Sequence, residues 1–128
     1  MIRRYALTAS LTLCAALAQT SALAQTAPQV PGITIVIPLN ALGSSRDASV
    51  KAMKEIGAVV RKQPGLISAV LMEHKNPANK PSHVDVMQWR DMKAWEAVFS
   101  NPEFQKILSA NSALVQVQDG AGVYTPVK

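Results

Sequence analysis

Large aromatic and sulfur-bearing side chains are the first feature of this sequence that could serve a chemical role. Trp89 ends a stretch of alternating residues in which Met87 shares its face, and Met72 lies in the apolar stretch before it. Tryptophan and methionine pack well against planar rings. These three residues are therefore predicted to line a pocket for a small aromatic or apolar ligand. The alternative is that Trp89 fills the hydrophobic core, which is the commoner place for a large aromatic side chain.

Two histidines, His74 and His83, flank a turn that is rich in Asn and Pro. Antiparallel pairing of the flanking strands would bring them towards each other, and with Glu73 or Asp85 they could form a surface metal site. The chain has none of the tight histidine spacings that are typical of metal-binding motifs. That favours two solvated turn histidines and a protein without a bound metal.

Other function classes find no support in the sequence. Ser44, Ser45 and Ser109 have no histidine and acid in any recognised order, which argues against a serine hydrolase. The segment Gly120-Ala121-Gly122 lacks the lysine and the helix that follow a phosphate-binding loop. The net charge of +5 falls to about +3 without Arg3 and Arg4 of the N-terminal segment. That charge is mild, so neither a nucleic-acid partner nor a polybasic membrane surface is predicted.

Residues 1–24 have the three parts of a secretory signal peptide. Two arginines precede an uncharged apolar run, which is shorter than the roughly 20 residues that a membrane span needs. Small residues then precede a predicted cleavage site between Ala24 and Gln25. We therefore expect a periplasmic or secreted protein with no membrane association after cleavage. Cleavage also removes the only cysteine, Cys14, and with it any disulfide or thiol chemistry.

Residues 25–31 form a Pro-containing flexible lead, and residues 32–128 are predicted to form one domain. Hydrophobic periodicity predicts strands at 32–40, 66–74, 83–89, 114–118 and 123–127, and helices at 48–63, 92–99 and from 102 onwards. The predicted helix caps are Asp47, Asp91 and Asn101. The order β-α-β-β-α-β is that of an α+β, ferredoxin-like fold with an antiparallel sheet. Because the second strand is apolar on both faces, a second copy is predicted to cover the open sheet face in a homodimer.

Three segments, QPGLIS at 63–68, VMQWRDMKAW at 86–95 and SNPEF at 100–104, resemble the antibiotic biosynthesis monooxygenase (ABM) family. The resemblance runs from Ile33 to Val117 and implies a dimeric α/β barrel. Together with the predicted signal peptide, it implies an exported ABM-like domain that acts, without a cofactor, as a monooxygenase of small aromatic or quinol-type substrates. The alternative is a non-catalytic periplasmic barrel that binds a small ligand or a protein.

The same resemblance indicates candidate catalytic residues. In haem-degrading members a tryptophan at the position of Trp89 stands over the ligand, and Asn40 matches a polar residue that some oxygenases place near the substrate. Haem-degrading members also have a histidine ligand in the last helix, where this chain has Leu108 and its neighbours, so haem degradation is disfavoured. Quinol-oxidising members commonly have a histidine nine residues after the tryptophan, where this chain has Val98.

Overall fold

The computed structural model describes residues 30–128. The predicted signal peptide, its cleavage site at Ala24 and Gln25, Cys14 and most of the predicted lead lie outside that range. The strands are β1 (Ile33–Ala41), β2 (Leu66–Glu73), β3 (His83–Trp89), β4 (Val115–Val117) and β5 (Gly122–Tyr124). The helices are α1 (Arg46–Arg61), α2 (Met92–Phe99) and α3 (Pro102–Ala110). None of these three helices is long and apolar enough to cross a membrane.

The five strands form one antiparallel sheet in the order β2-β3-β1-β4. This order confirms the predicted ferredoxin-like fold. β4 and β5 follow one another along the same edge of β1, where β4 pairs with residues 39–41 and β5 with residues 34–36. The sheet is not closed into a barrel within one chain.

The three helices cover one face of the sheet, and the hydrophobic core lies between them and the strands. Ile33 pairs with Trp89 and Ile35 with Met87. Paired residues on neighbouring strands point to the same face, and all four side chains are buried. The core is completed mainly by residues of the helices: Val59, Val60, Ala94, Trp95, Val98 and Phe104.

The opposite face of the sheet is uncovered in the single chain. Val70 and Met72 of β2 are 54% and 48% exposed, and Val84 and Val86 of β3 are partly exposed. Ala69 of β2 pairs with Met87 and therefore faces the helices. β2 thus has apolar residues on both faces, as the sequence predicts.

Side-chain caps fix the starts of the two C-terminal helices. The Asp91 carboxylate accepts a hydrogen bond from the Ala94 N–H at 2.8 Å, and the Asn101 amide oxygen accepts one from the Phe104 N–H at 3.3 Å. Both are the predicted caps. Pro102 follows at the first helical position, where its missing N–H costs nothing. The chain therefore ends α2 and starts α3 within three residues.

The first helix begins earlier than the sequence predicts. The Ser45 hydroxyl accepts a hydrogen bond from the Ala48 N–H, so Ser45 is the cap and α1 starts at Arg46 instead of Ala48. The predicted cap, Asp47, lies in the first turn, where its negative charge interacts favourably with the helix dipole. α1 ends at Arg61, two residues before the predicted end at Gln63.

Candidate active site

A cavity of about 340 Å³ lies between the sheet and the helix layer. Strands β1, β3, β4 and β5 form one wall, and all three helices contribute to the other. The short break between α2 and α3 lets Phe99 and Phe104, on either side of it, both line the space. The volume is at the small end of the roughly 300–1,000 Å³ of ligand pockets, which suits a small ligand.

Asp85 is the single charged side chain among the seventeen residues that line this cavity. It pairs with Ile37 of β1 and Leu71 of β2, and the alternation of β3 places it on the same face as Met87. Its Oδ1 atom is buried and has no hydrogen-bond partner within residues 30–128. Buried polar atoms are rarely left unpaired, so this oxygen marks Asp85 as an exception among the buried groups of the chain.

The environment of Asp85 makes it a stronger base than an exposed carboxylate. Burial raises the pKa of Asp85 above its ordinary value of 3.8, and the positive charge of Arg61 opposes part of that increase. Arg61 belongs to α1, is exposed, and donates a hydrogen bond to the Ala69 carbonyl at 3.4 Å. A carboxylate with a raised pKa in an apolar cleft is a typical arrangement for proton abstraction.

Trp89, the leading candidate from the sequence, lies behind the cavity wall. Its side chain is fully buried and does not line the cavity. It packs against Trp95, with ring centroids 5.6 Å apart, and Trp95 forms part of the lining. Trp89 thus takes the core position that the sequence analysis weighed as the alternative, and Trp95 is the tryptophan that faces the cavity. The Trp89 Nε1 atom is buried without a hydrogen-bond partner in the described chain.

The other three predicted site residues lie in different places. Met87 is buried and lines the cavity. Met72 is on the uncovered face of the sheet, so the structure does not bring it together with Met87. Asn40 is buried at the end of β1, where its amide oxygen accepts a hydrogen bond from the Ser82 N–H at 3.4 Å. Asn40 holds the start of β3 and does not line the cavity.

The two histidines do not form a common site. The exposed His74 Nδ1 lies 2.9 Å from the Asn76 N–H that donates to it. His83 is buried; its Nδ1 is 2.9 Å from the Ser82 hydroxyl and its Nε2 is 3.6 Å from Glu73. Across residues 30–128 no three His, Cys, Asp or Glu side chains are grouped to hold a metal ion. Burial and the charge of Arg46 lower the pKa of His83.

The mouth of the cavity is apolar. Phe99, Leu108, Val117 and Val123 all line the cavity and are 41–54% exposed. Leu108 lies in the segment where haem-degrading relatives would need a histidine, and it offers no ligand to iron. Val98, nine residues after Trp89, is fully buried and lies outside the cavity lining.

The sequence analysis named Asp85 only as a possible partner of the two histidines in a metal site and did not place it in the cavity. The signal was present: a carboxylate stands between His83 and Met87 on the buried face of a strand. Charged residues are almost never buried without a partner. An unpaired carboxylate on a core-facing position is therefore a marker of function.

Comparison with known proteins agrees with this fold. The family model "Antibiotic biosynthesis monooxygenase" matches residues 32–110, whereas no curated protein matches the chain significantly. The chain is similar in fold to SnoaB, a cofactor-independent oxygenase from Streptomyces nogalater, with a TM-score of 0.65 and 19% identity over 77% of this chain and 96% of that chain. It is also similar to HapK from Hahella chejuensis, with a TM-score of 0.61 and 16% identity over 74% of this chain and 92% of that chain. Because the family model covers more than half of the sequence, this chain belongs to the antibiotic biosynthesis monooxygenase family.

Proposed function

We propose that this protein is a cofactor-independent monooxygenase that binds a small aromatic or quinol-type substrate in the cavity. The observation that carries the proposal is Asp85, a carboxylate with an unpaired Oδ1 atom, in the lining of an otherwise uncharged cavity. An apolar wall would hold a planar ring, and the carboxylate would accept the proton of its hydroxyl group. The fold similarity to SnoaB, described as a cofactor-independent oxygenase, supports the same class of reaction.

In the proposed mechanism Asp85 acts as the general base. It removes a proton from the bound phenol or quinol, and the resulting anion is electron-rich enough to transfer electrons to O₂. A carbon–oxygen bond then forms to give a peroxide. Loss of water breaks the oxygen–oxygen bond and leaves a carbonyl on the ring, so that a CH₂ group and O₂ become C=O and H₂O. The substrate supplies all four electrons, and no separate reductant is needed.

The apolar walls of the cavity contribute by holding the ring and excluding water. Trp95 and Phe99 both line the cavity, and their ring centroids lie 4.8 Å apart in an edge-to-face arrangement. Aromatic rings in such an arrangement present both a face and an edge to a planar ligand. The low polarity around Asp85 also strengthens its attraction for a proton. Binding and base strength thus arise from the same apolar surface.

Oxygen uptake tests the proposal directly. Wild-type protein, Asp85→Asn and Asp119→Asn are mixed with 1-naphthol, dihydroxynaphthalenes and 1,8-dihydroxyanthrone, and consumption of O₂ is followed at an electrode. We expect turnover of at least one compound, and a loss of about 10²–10⁴-fold in kcat/KM for Asp85→Asn. Asp119 is exposed in the turn between β4 and β5, and its replacement should leave the rate unchanged. No turnover by the wild type, or full activity of Asp85→Asn, would refute the proposal.

A non-catalytic binding barrel is the second candidate. It is favoured by the near-absence of polar groups in the lining and by the position of Trp89 outside the cavity. Such a protein needs no base, so a variant with leucine at position 85 would bind apolar ligands as well as the wild type or better. Tight binding of the naphthols with no oxygen consumption would support this candidate over the oxygenase.

We further propose that the protein works as a homodimer in which a second copy covers the open sheet face. The exposed Val70 and Met72 support this arrangement, because paired apolar faces would be removed from water. Sedimentation equilibrium should give twice the mass of one chain, and Met72→Glu should shift the protein towards monomers. Glu96→Lys, a charge change at an exposed position on α2, is the control. A wild-type monomer at micromolar concentration would contradict the proposal.

Export is the last part of the proposed function. The three-part pattern of residues 1–24 supports cleavage between Ala24 and Gln25 and a working form in the periplasm or outside the cell. Mass spectrometry of the protein recovered from the periplasmic fraction should find Gln25 at the N-terminus. Recovery of the uncleaved chain from the cytoplasm would overturn this expectation.

A further inference from the structure

The charge of the cavity lining comes from one residue. Asp85 is its single ionisable residue, and among the lining residues there is no Lys, Arg or His. Arg61 is the cation whose charge acts on the pKa of Asp85. A Cβ atom built on Gly57, one turn earlier in α1, would lie 2.6 Å from Arg61 Nη1, so the guanidinium lies along its own helix. Its bond to the Ala69 carbonyl holds it at β2, away from the cavity lining.

We infer that the substrate is a neutral hydroxyaromatic compound and that the site rejects molecules that carry a carboxylate or another anion on the ring system. This inference rests on the proposed function, because it assigns the substrate class of the same cavity. It follows from the sign of the only charge in the lining and from the absence of any lining residue that could neutralise a second negative charge. Asp85 is then both the proposed base and the residue that determines specificity.

The apolar walls of the cavity strengthen the discrimination against anionic ligands. Like charges a few ångströms apart repel much more in an apolar site than in water. An anionic ligand must also lose its own hydration, and no cationic group in the lining replaces it. We therefore expect an added carboxylate to weaken binding on the order of 100-fold. A neutral group of the same size should have little effect if the cavity has room for it.

The apolar mouth extends the selection against charged groups to any part of the ligand that projects out of the cavity. Phe99, Leu108, Val117 and Val123 surround the opening and carry no charge. A substrate larger than the cavity would rest its remaining rings or alkyl groups on these side chains. Substrates that are attached to a phosphate or an acidic carrier near the ring are excluded for the same reason as carboxylates.

Three matched ligands test this inference without any need for turnover. Isothermal titration under nitrogen measures the binding of 1-naphthol, 5-hydroxy-1-naphthoic acid and the methyl ester of that acid in mildly alkaline buffer. The ester controls for size and the acid adds the charge. We expect 1-naphthol and the ester to bind the wild type with similar affinity and the acid to bind on the order of 100-fold more weakly.

Two variants assign the effect to one residue. Asp85→Asn keeps the shape but removes the charge, and should bring the acid to within a few-fold of the ester. Asp119→Asn removes the same charge from an exposed turn and should leave the ratio of the two affinities as in the wild type. Circular dichroism checks the fold of each variant, and the wild-type ratio tests the inference even if Asp85→Asn does not fold.

Equal binding of acid and ester to the wild type would overturn the inference, as would an equal shift of the ratio by Asp119→Asn. Failure of all three ligands to bind would overturn it together with the proposed substrate class. Discrimination by the wild type without any oxygen consumption would refute the proposed monooxygenase and leave the inferred ligand selectivity standing. The two proposals can therefore fail separately.

Discussion

Replacement of Asp85 by leucine should make the protein more stable while it removes activity. The wild-type residue leaves a buried oxygen without a hydrogen bond, and such a group costs about 1–3 kcal/mol. Leucine removes this cost, and its extra volume can enter the adjoining cavity of about 340 Å³. We expect the free energy of unfolding to rise by about 1–3 kcal/mol. For a domain of about 100 residues each kcal/mol corresponds to roughly 4–8 °C in Tm.

The stability gained by replacing Asp85 with leucine should increase with pH. The folded-state pKa of Asp85 is raised above its ordinary value of 3.8, so the folded protein holds the proton more tightly than the unfolded chain does. Wild-type stability from this group is therefore fully present in acid and is lost as pH rises through the folded-state pKa. The extra stability of the leucine variant over the wild type should be smallest at pH values below the ordinary pKa of Asp85. It should grow as the pH rises, until the carboxyl group of the folded wild type is ionised.

Urea denaturation followed by circular dichroism at several pH values measures this advantage. Asp119→Leu is the control, because the same substitution at an exposed position should change stability by no more than about 0.5 kcal/mol. A leucine variant at position 85 that is no more stable than the wild type at neutral pH would refute the reasoning. An advantage that does not change between acid and neutral pH would refute the assignment of its cause.

Three further predictions concern the surroundings of Asp85. Arg61→Met removes the charge that lowers the pKa of Asp85, so the acidic limb of kcat/KM against pH should move to higher pH; an unchanged profile would exclude this coupling. Trp89→Ala should lower the free energy of unfolding, measured by urea denaturation, by about 3–5 kcal/mol because the side chain is fully buried. A small decrease would show that neighbouring side chains move to fill the space. Phe99→Ala, at the 48%-exposed mouth, should raise KM for an aromatic substrate by about two- to tenfold with little loss of stability; an unchanged KM would mean that the substrate does not touch the mouth.

Local signals in the sequence predict most of the fold. β3 and α2 have the predicted bounds. Alternation marks both ends of β3, the Asp91 cap marks the start of α2, and the Asn101 cap of the next helix requires α2 to end before it. The start of α1 was predicted two residues too late because both Ser45 and Asp47 are good caps, and sequence alone does not decide between them. The short strands β4 and β5 were predicted two residues too long, since their few pairs with β1 end them early.

The site is less predictable because the cavity is a gap between elements and has no sequence pattern of its own. Met72 and Met87 lie in similar apolar stretches, and only the pairing of β2 with β3 shows that they belong to opposite faces. Whether Trp89 or Trp95 reaches the cavity depends on how α2 packs on the sheet, which periodicity does not specify. Asp85 could have been identified, because an acid on the buried face of a strand contradicts the pattern around it.

The position of β4 and β5 along one edge of β1 has an evolutionary consequence. Five of the seventeen lining residues lie between Val115 and Val123, whereas the family match ends at residue 110. The core and Asp85 lie within the matched stretch, but this part of the wall lies beyond it. Each of these two strands has only three residues paired with β1, so sequence change there disturbs little of the sheet. Selection for a new ligand can therefore act on the C-terminal wall while the core and the rest of the cavity stay intact.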